Sequence, residues 1–224
     1  MYQSDEAWRE VDAYFTGILV PEDQALGDAR QSGALTTMPQ AEVAPNQGML
    51  LAMLCRIAGA TRVLEFGTLA GYSTIWLARA VGGAGHVTTL ELEERNAAIA
   101  RANLRRAGVA SRVDVLVGPA LDSARRLLED GHEPYDFVFI DADKPSNPAY
   151  LKASLELTRP GSVIVIDNVV RNGAVTDPDS PDERVQGVRR VLADIAHDTR
   201  LEATALQTVG SKGWDGFVVV RRSR

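Results

Sequence analysis

The sequence predicts an α/β domain built on a parallel, doubly wound sheet, and three observations carry that prediction. Short β-rich runs at 62–66 (RVLEF), 86–91 (HVTTLE), 112–117 (RVDVLV), 135–140 (YDFVFI) and 162–167 (SVIVID) alternate with helix-like runs at 71–81, 93–107, 119–130 and 147–157. Alternation of this kind places successive strands side by side through right-handed helical crossovers. The run Phe137 to Ile140 is apolar throughout, as in strands covered by helices on both faces. Finally, 224 residues with 45% hydrophobic and 24% charged side chains suit one substantial core. Nothing repeats and no low-complexity linker interrupts the chain, so residues 1–224 are expected to form a single domain.

Taken in order, residues 4–19 and 22–35 read as two helices broken at Pro21, whose ring and missing N–H disfavour a helix interior. Tyr14, Phe15, Ile18 and Leu19 give the first helix an apolar stripe, able to pack on its own domain, seal a pocket or join a second copy. A third helix from Pro45 to Ala58 carries Met49, Leu50, Met53, Leu54 and Ile57 at helical spacing, so residues 1–58 are expected to cap the core. Gly108 closes the helix over 93–107. Beyond the fifth strand, Ser180-Pro181-Asp182-Glu183 combines an N-cap, a first-turn proline and a capping-box glutamate ahead of Val185, Val188, Leu192 and Ile195. LEATALQTV and GFVVVRR then read as two strands joined by GSKGWDG.

Composition narrows the function classes. The formal charge of −6 disfavours a protein that tracks a nucleic-acid backbone, and the Arg105-Arg106, Arg125-Arg126 and Arg189-Arg190 pairs read as solvated helix faces. The one cysteine, Cys55, sits in an apolar helix and reads as a buried, inert thiol without an internal disulfide partner. The acidic start MYQSDEAWREVDAYF is unlike a secretory signal, and no apolar run approaches the roughly 20 residues that cross a bilayer. A cytoplasmic location away from membranes is therefore expected. His86, His132 and His197 are scattered and fit no zinc pattern.

VLEFGTLAGYSTIWLARA reads as a strand, a tight turn and a helix start. Gly67 and Gly71 let the backbone approach a ligand, while Thr68, Ser73 and Thr74 can cap or hydrogen-bond near the helix N-terminus. The spacing is Gly-x-x-x-Gly, not the Gly-x-Gly-x-x-Gly of dinucleotide sites. Glu65 puts a carboxylate beside the turn, where it repels a pyrophosphate and suits a cationic or zwitterionic ligand. Glu91 ends the next strand, where an acidic residue grips ribose hydroxyls in nucleotide folds. Gly118, Pro119 and Ala120 follow the third strand, where backbone amides can face a base edge. The competing reading is a tight βα turn with Glu65 and Glu91 in surface ion pairs.

FVFIDADKPSNPAY and VIVIDNVVRNG place Asp141, Asp167 and Asn168 beyond the carboxyl ends of neighbouring strands, the rim where open α/β sheets bind ligands. Two carboxylates and an amide carbonyl offer three hard oxygens for Mg²⁺, with Mn²⁺ and Ca²⁺ as alternatives. Lys144 lies three residues after Asp141. Beside a divalent cation and a cationic cofactor, like charges disfavour its ammonium form, so at the solvated rim it can take a hydroxyl proton. Asp143 can ligate or orient Lys144, and a solvated turn with ion pairs is the plainer alternative. From the residues alone, an NAD-dependent oxidoreductase and a non-catalytic nucleotide-binding protein remain alternatives.

EFGTLAGYSTIWLARA, FVFIDADKPSNPAY, RPGSVIVIDNVVRNGAV and TVGSKGWDGF resemble the class I, cation-dependent O-methyltransferases of the caffeoyl-CoA and catechol type, with likeness from about Tyr14 through Val220. The resemblance implies a Rossmann-like methyltransferase fold with a seven-stranded sheet in the order 3-2-1-4-5-7-6, the last strand antiparallel. It implies S-adenosyl-L-methionine (SAM) as methyl donor, a catechol-like acceptor and a homodimer. By resemblance Asp141, Asp167 and Asn168 match the metal ligands and Lys144 the general base, while Glu65, Gly67, Tyr72, Ser73, Glu91, Ala120 and Asp141 surround the donor. Met38 corresponds to a residue bordering the cofactor. Lys144 and Asn168 also face the acceptor, with Tyr150, Trp214 and the segment Val169 to Val175 as candidate walls. The substrate glutamate of the animal catechol enzyme has no counterpart, and the N-terminal segment carries no basic coenzyme A clamp. A small free phenolic is therefore favoured over a CoA thioester.

Overall fold

The computed structural model of the chain describes residues 5–223; Ser4, expected to open the first helix, lies outside them. The N-terminal part comprises α1 (Asp5–Leu19), α2 (Gln24–Ser32) and α3 (Pro45–Ile57). The alternating part runs β1 (Arg62–Phe66), α4 (Tyr72–Ala80), β2 (His86–Glu91), α5 (Glu94–Arg106), β3 (Val113–Val117), α6 (Ala120–Glu129), β4 (Tyr135–Ile140), α7 (Asn147–Leu157) and β5 (Thr158–Asp167). It closes with α8 (Glu183–His197), β6 (Leu201–Gly210) and β7 (Gly213–Arg222).

All seven strands share one sheet in the order β3-β2-β1-β4-β5-β7-β6, with β7 antiparallel to both of its neighbours. The seven-stranded order implied by the resemblance is the order found. Because side chains alternate across a strand, β4 feeds two cores. Phe137 and Phe139 join Leu26, Leu51 and Ile75 on one face, while Val138 and Ile140 join Leu151, Val188 and Val191 on the other. Helices on both faces thus explain why the strand is apolar from end to end. Val20, Leu26, Ala29 and Val43 bring the N-terminal segment into the first of these cores.

Register sets the site. Phe66 pairs with Ile140, and Ile140 with Ile166, which sets these three residues of β1, β4 and β5 level with one another. Their next residues, Gly67, Asp141 and Asp167, emerge together at the carboxyl rim.

Three local expectations are corrected. The helix expected over 22–35 is α2, begun by the Asp23 cap on Leu26 N at 3.1 Å, followed by a separate 3-10 turn over Gly33–Leu35. The cap of α8 is Asp182, whose side chain accepts from Arg184 N at 2.8 Å, rather than Ser180 two residues earlier. GSKGWDG is not a loop: pairing runs from Val209↔Trp214 to Gly210↔Gly213, leaving only Ser211 and Lys212 to turn. Trp214 and Asp215 are strand residues as a result. Cys55 is buried and free, and that burial pushes its thiol up to about 12. No helix of the described residues is long and apolar enough to cross a membrane.

Candidate active site

The glycine-rich turn is built around a close approach. Gly67 has φ +95°, and a Cβ there would lie 2.4 Å from the backbone oxygen of Asp141. Only glycine lets the ends of β1 and β4 stay this near. Asp141 N donates to Phe66 O at 2.8 Å and Gly67 N to Leu90 O at 2.9 Å, which carries the sheet's ladder into the turn. The turn then arches over Glu91: Oε2 accepts from Thr68 N at 3.2 Å and Leu69 N at 2.8 Å. Its other oxygen accepts from Glu93 N at 3.0 Å and Asn96 Nδ2 at 3.1 Å. Asn96 also clasps Thr37 through two hydrogen bonds, fixing the loop that carries the exposed Met38 beside Glu91. Gly118 N donates to the backbone oxygen of Glu91 at 2.9 Å, which ties the turn after β3 to the end of β2 just ahead of Ala120, the first residue of α6.

Glu65 lies beneath this turn, not at a solvated surface. It is wholly buried, with Oε1 accepting from Ser73 at 2.6 Å and Oε2 from Thr74 at 2.5 Å and Thr89 at 2.7 Å. Thr68 shares a hydrogen bond with Thr89 at 2.6 Å, so the turn and the carboxylate are one network. Burial pushes the Glu65 carboxyl up to about 7 against the pull of these three hydroxyls. A cation brought close would favour its ionised form. Tyr72 is buried against Trp76 and donates to Glu22 at 2.7 Å, which ties α4 to the segment joining α1 and α2. Neither Glu65 nor Glu91 is in a surface ion pair, which removes the plainer reading of both.

On the other side of the rim, Lys144 Nζ stands 2.8 Å from Asp141 Oδ1. Lys144 is buried, with 7% exposure, and the expectation of a solvated lysine is corrected. The cause is α8: Gly187 packs so tightly on Lys144 that a Cβ there would meet its carbonyl oxygen at 2.1 Å. Asp167 is buried as well, and its carboxyl is raised first by that burial and then by the charge of Asp141. Lys144, the Asn168 backbone N–H and the nearby Gln47 amide oppose the rise. Two carboxylates that resist simultaneous ionisation form a site that a cation would relieve. Among the described residues no group of three or more His, Cys, Asp or Glu side chains gathers to hold a metal. A ligand set here would be two carboxylates with the Asn168 amide, hard oxygens of the kind that suit Mg²⁺.

The expected acceptor walls divide. Tyr150 is buried on α7, its hydroxyl donating to Asp143 and its ring 5.0 Å from that of Phe66, so it braces the Asp143 turn from within. Trp214 is partly exposed, donates from Nε1 to Gln207 at 3.0 Å and lays its ring against Gly173. Thr89, Asn96, Gln47 and Asp215 were not singled out from sequence. Of these, only Asn96 had a local signal, a polar residue five positions after Glu91 in the first turn of α5.

A family model described as O-methyltransferase matches residues 17–223. The catechol O-methyltransferase of Niastella koreensis is 44% identical over 216 residues, covering 96% of this chain and 98% of that protein. The catechol O-methyltransferase of Mycobacterium tuberculosis is 47% identical over 210 residues, 94% of each. Among solved structures, the O-methyltransferase from Bacillus cereus in complex with SAH superposes with a TM-score of 0.96 at 50% identity, covering 98% of this chain and 100% of that one.

Proposed function

The chain belongs to the O-methyltransferase family, and from that premise we propose that it transfers a methyl group from SAM to one hydroxyl of a small catechol-like diol with the help of Mg²⁺. The observation that carries the metal and diol reading is the pairing of the half-buried Asp141 with the buried Asp167 at the ends of adjacent strands, with Lys144 Nζ 2.8 Å from Asp141. A dehydrogenase or a bare nucleotide binder explains the glycine-rich turn but not this pair.

Asp141, Asp167 and Asn168 would hold the cation, which would make an acceptor hydroxyl more acidic and offset the charge it develops. In its neutral amine form, Nζ of Lys144 would accept the hydroxyl proton and become the ammonium partner of Asp141. Thr68, Gly67 and Glu91 bind the donor's nucleoside end, with Gly118 and Ala120 at its base. Ser73 and Tyr72 stand at the opposite end, and Met38 closes over the donor. Glu65 acts from below, favouring a cationic ligand through the Ser73 and Thr89 hydroxyls. Trp214 and the segment Val169 to Val175 flank the acceptor, whose second hydroxyl aligns the first and turns a loose encounter into an ordered one.

The exposed apolar residues Tyr14, Ile18 and Leu19 on α1, together with Leu206 and Val209 on β6, support a homodimer that covers them. Methyl-transfer assays with catechol, protocatechuate and caffeic acid against their monophenol counterparts test the acceptor reading. Diols are expected to turn over and monophenols to be poor substrates; equal rates on both would refute recognition through two hydroxyls.

A further inference from the structure

The loop after β5 is unusual in its backbone. Asn168, Arg171 and Asn172 have φ of 57°, 55° and 53°, and Gly173 follows at 85°. Positive φ is unfavourable for residues with a Cβ, so a segment holding three of them close together needs anchoring from outside. The anchor is on β7. Asp215 Oδ1 accepts from Val170 N at 3.0 Å, Arg171 N at 3.1 Å and Gly216 N at 3.0 Å. Val169 N donates to Gly216 O at 2.9 Å, and Arg171 Nη1 lies 4.0 Å from Asp215 Oδ2. The neighbouring Trp214 closes the same loop sterically, since a Cβ on Gly173 would meet Trp214 Cη2 at 2.8 Å.

We infer that Asp215 is a positioning residue for the metal and acceptor side of the active site, acting through the backbone of Val170 and Arg171 to hold Asn168 in its left-handed conformation. The inference rests on the reading of Asn168 as a metal ligand. Convergence of backbone N–H groups on one carboxylate oxygen satisfies the donor of Val170, which is buried and would otherwise be left without water or partner. Without that oxygen the loop can relax its positive φ angles, and the Asn168 amide leaves the rim with them. The donor side has no such dependence, because its contacts belong to the turns after β1, β2 and β3.

The test uses the full chain, Mn²⁺ as the probe ion read by electron paramagnetic resonance, and SAM affinity read by calorimetry. Asp215→Ala is expected to weaken Mn²⁺ binding by about 10- to 100-fold, the usual loss for a residue that orients a ligand, with SAM affinity unchanged. Asp215→Asn, which keeps the accepting oxygen, is expected to restore most Mn²⁺ affinity. Asp215→Ser, whose hydroxyl is too short to serve both Val170 and Arg171, replaces the alanine variant if that fails to fold. Parent-like Mn²⁺ affinity in the alanine or serine variant overturns the inference, as does joint loss of Mn²⁺ and SAM binding or an asparagine variant no better than alanine. An unmodified chain that binds Mn²⁺ no better than Asp167→Ala overturns the metal reading itself, and the inference with it.

Discussion

Glu65 sits among three hydroxyl groups with no solvent contact, and its carboxyl is pushed up to about 7, first by burial. Between the ordinary carboxylate range and about 7 the native state keeps a proton that the unfolded chain has released. Its contribution to stability is therefore full at low pH and is lost as pH rises through that window. Glu65→Gln, neutral at every pH, is expected to remove this slope, so the difference in unfolding free energy between the two proteins should change by on the order of 3 kcal/mol across it. Denaturant unfolding at a series of pH values measures it, and parallel profiles would exclude Glu65 as the titrating group. Lys144→Ala is expected to lose about 10²- to 10⁴-fold in turnover, recovered in part at higher pH as more acceptor ionises unaided. Because Lys144 is buried against Asp141, the same variant should also lose stability, on the order of 2 kcal/mol. Steady-state rates against pH with chemistry limiting test its role as base, and near-wild-type turnover at neutral pH would reject it. The positions of Asp141, Asp167 and Asn168 were legible because apolar runs end there. The burial of Lys144 was not, since lysine is rarely buried and the glycine that makes room for α8 lies 43 residues further on.

Elements set which of these residues meet. The five parallel strands were readable from β-rich runs bounded by turn signals, and β4 in particular from Phe137 to Ile140. The extent of the β6–β7 hairpin was hidden by composition: three glycines in GSKGWDG signal a loop, yet all three, Gly210, Gly213 and Gly216, pair within the sheet. Asp215 was invisible for a different reason. Its partners are 45 and 44 residues away, and no local pattern announces a carboxylate that caps a distant loop. α1 and β6 raise the matter of assembly. Ser211 N donates to Asp12 at 2.8 Å, which sets α1 beside the turn of the hairpin and leaves Tyr14 and Ile18 65% and 60% exposed. β6 is the last strand of the sheet and exposes Leu206 and Val209. A long exposed edge with apolar neighbours is a surface that proteins cover. Sedimentation velocity is expected to find a dimer, and Tyr14→Glu with Ile18→Glu to convert it to monomer. A parent chain that sediments as a monomer at micromolar concentration would remove the proposal.

At the scale of the whole molecule, one rim of one sheet gathers two kinds of chemistry. On the proposed reading, the turns after β1 and β3 and the end of β2 supply Gly67, Thr68, Gly118 and Glu91 to the donor side, while the ends of β4 and β5 supply Asp141, Asp167 and Asn168 to the acceptor side. Asp141 touches both, because its backbone abuts Gly67 and its carboxylate pairs with Lys144. The two sides are otherwise anchored by different elements: Asn96 and Thr37 hold the first, and the β6–β7 hairpin the second. Separate anchoring means that removing the cation should disable transfer without dismantling the donor pocket. The most direct measurement is therefore SAM calorimetry alongside methyl transfer to catechol, on metal-depleted protein before and after Mg²⁺ is restored. Transfer is expected to vanish on chelation and return with Mg²⁺, while SAM affinity changes by no more than a few-fold. Full transfer by the metal-depleted protein would contradict a catalytic metal between Asp141, Asp167 and Asn168.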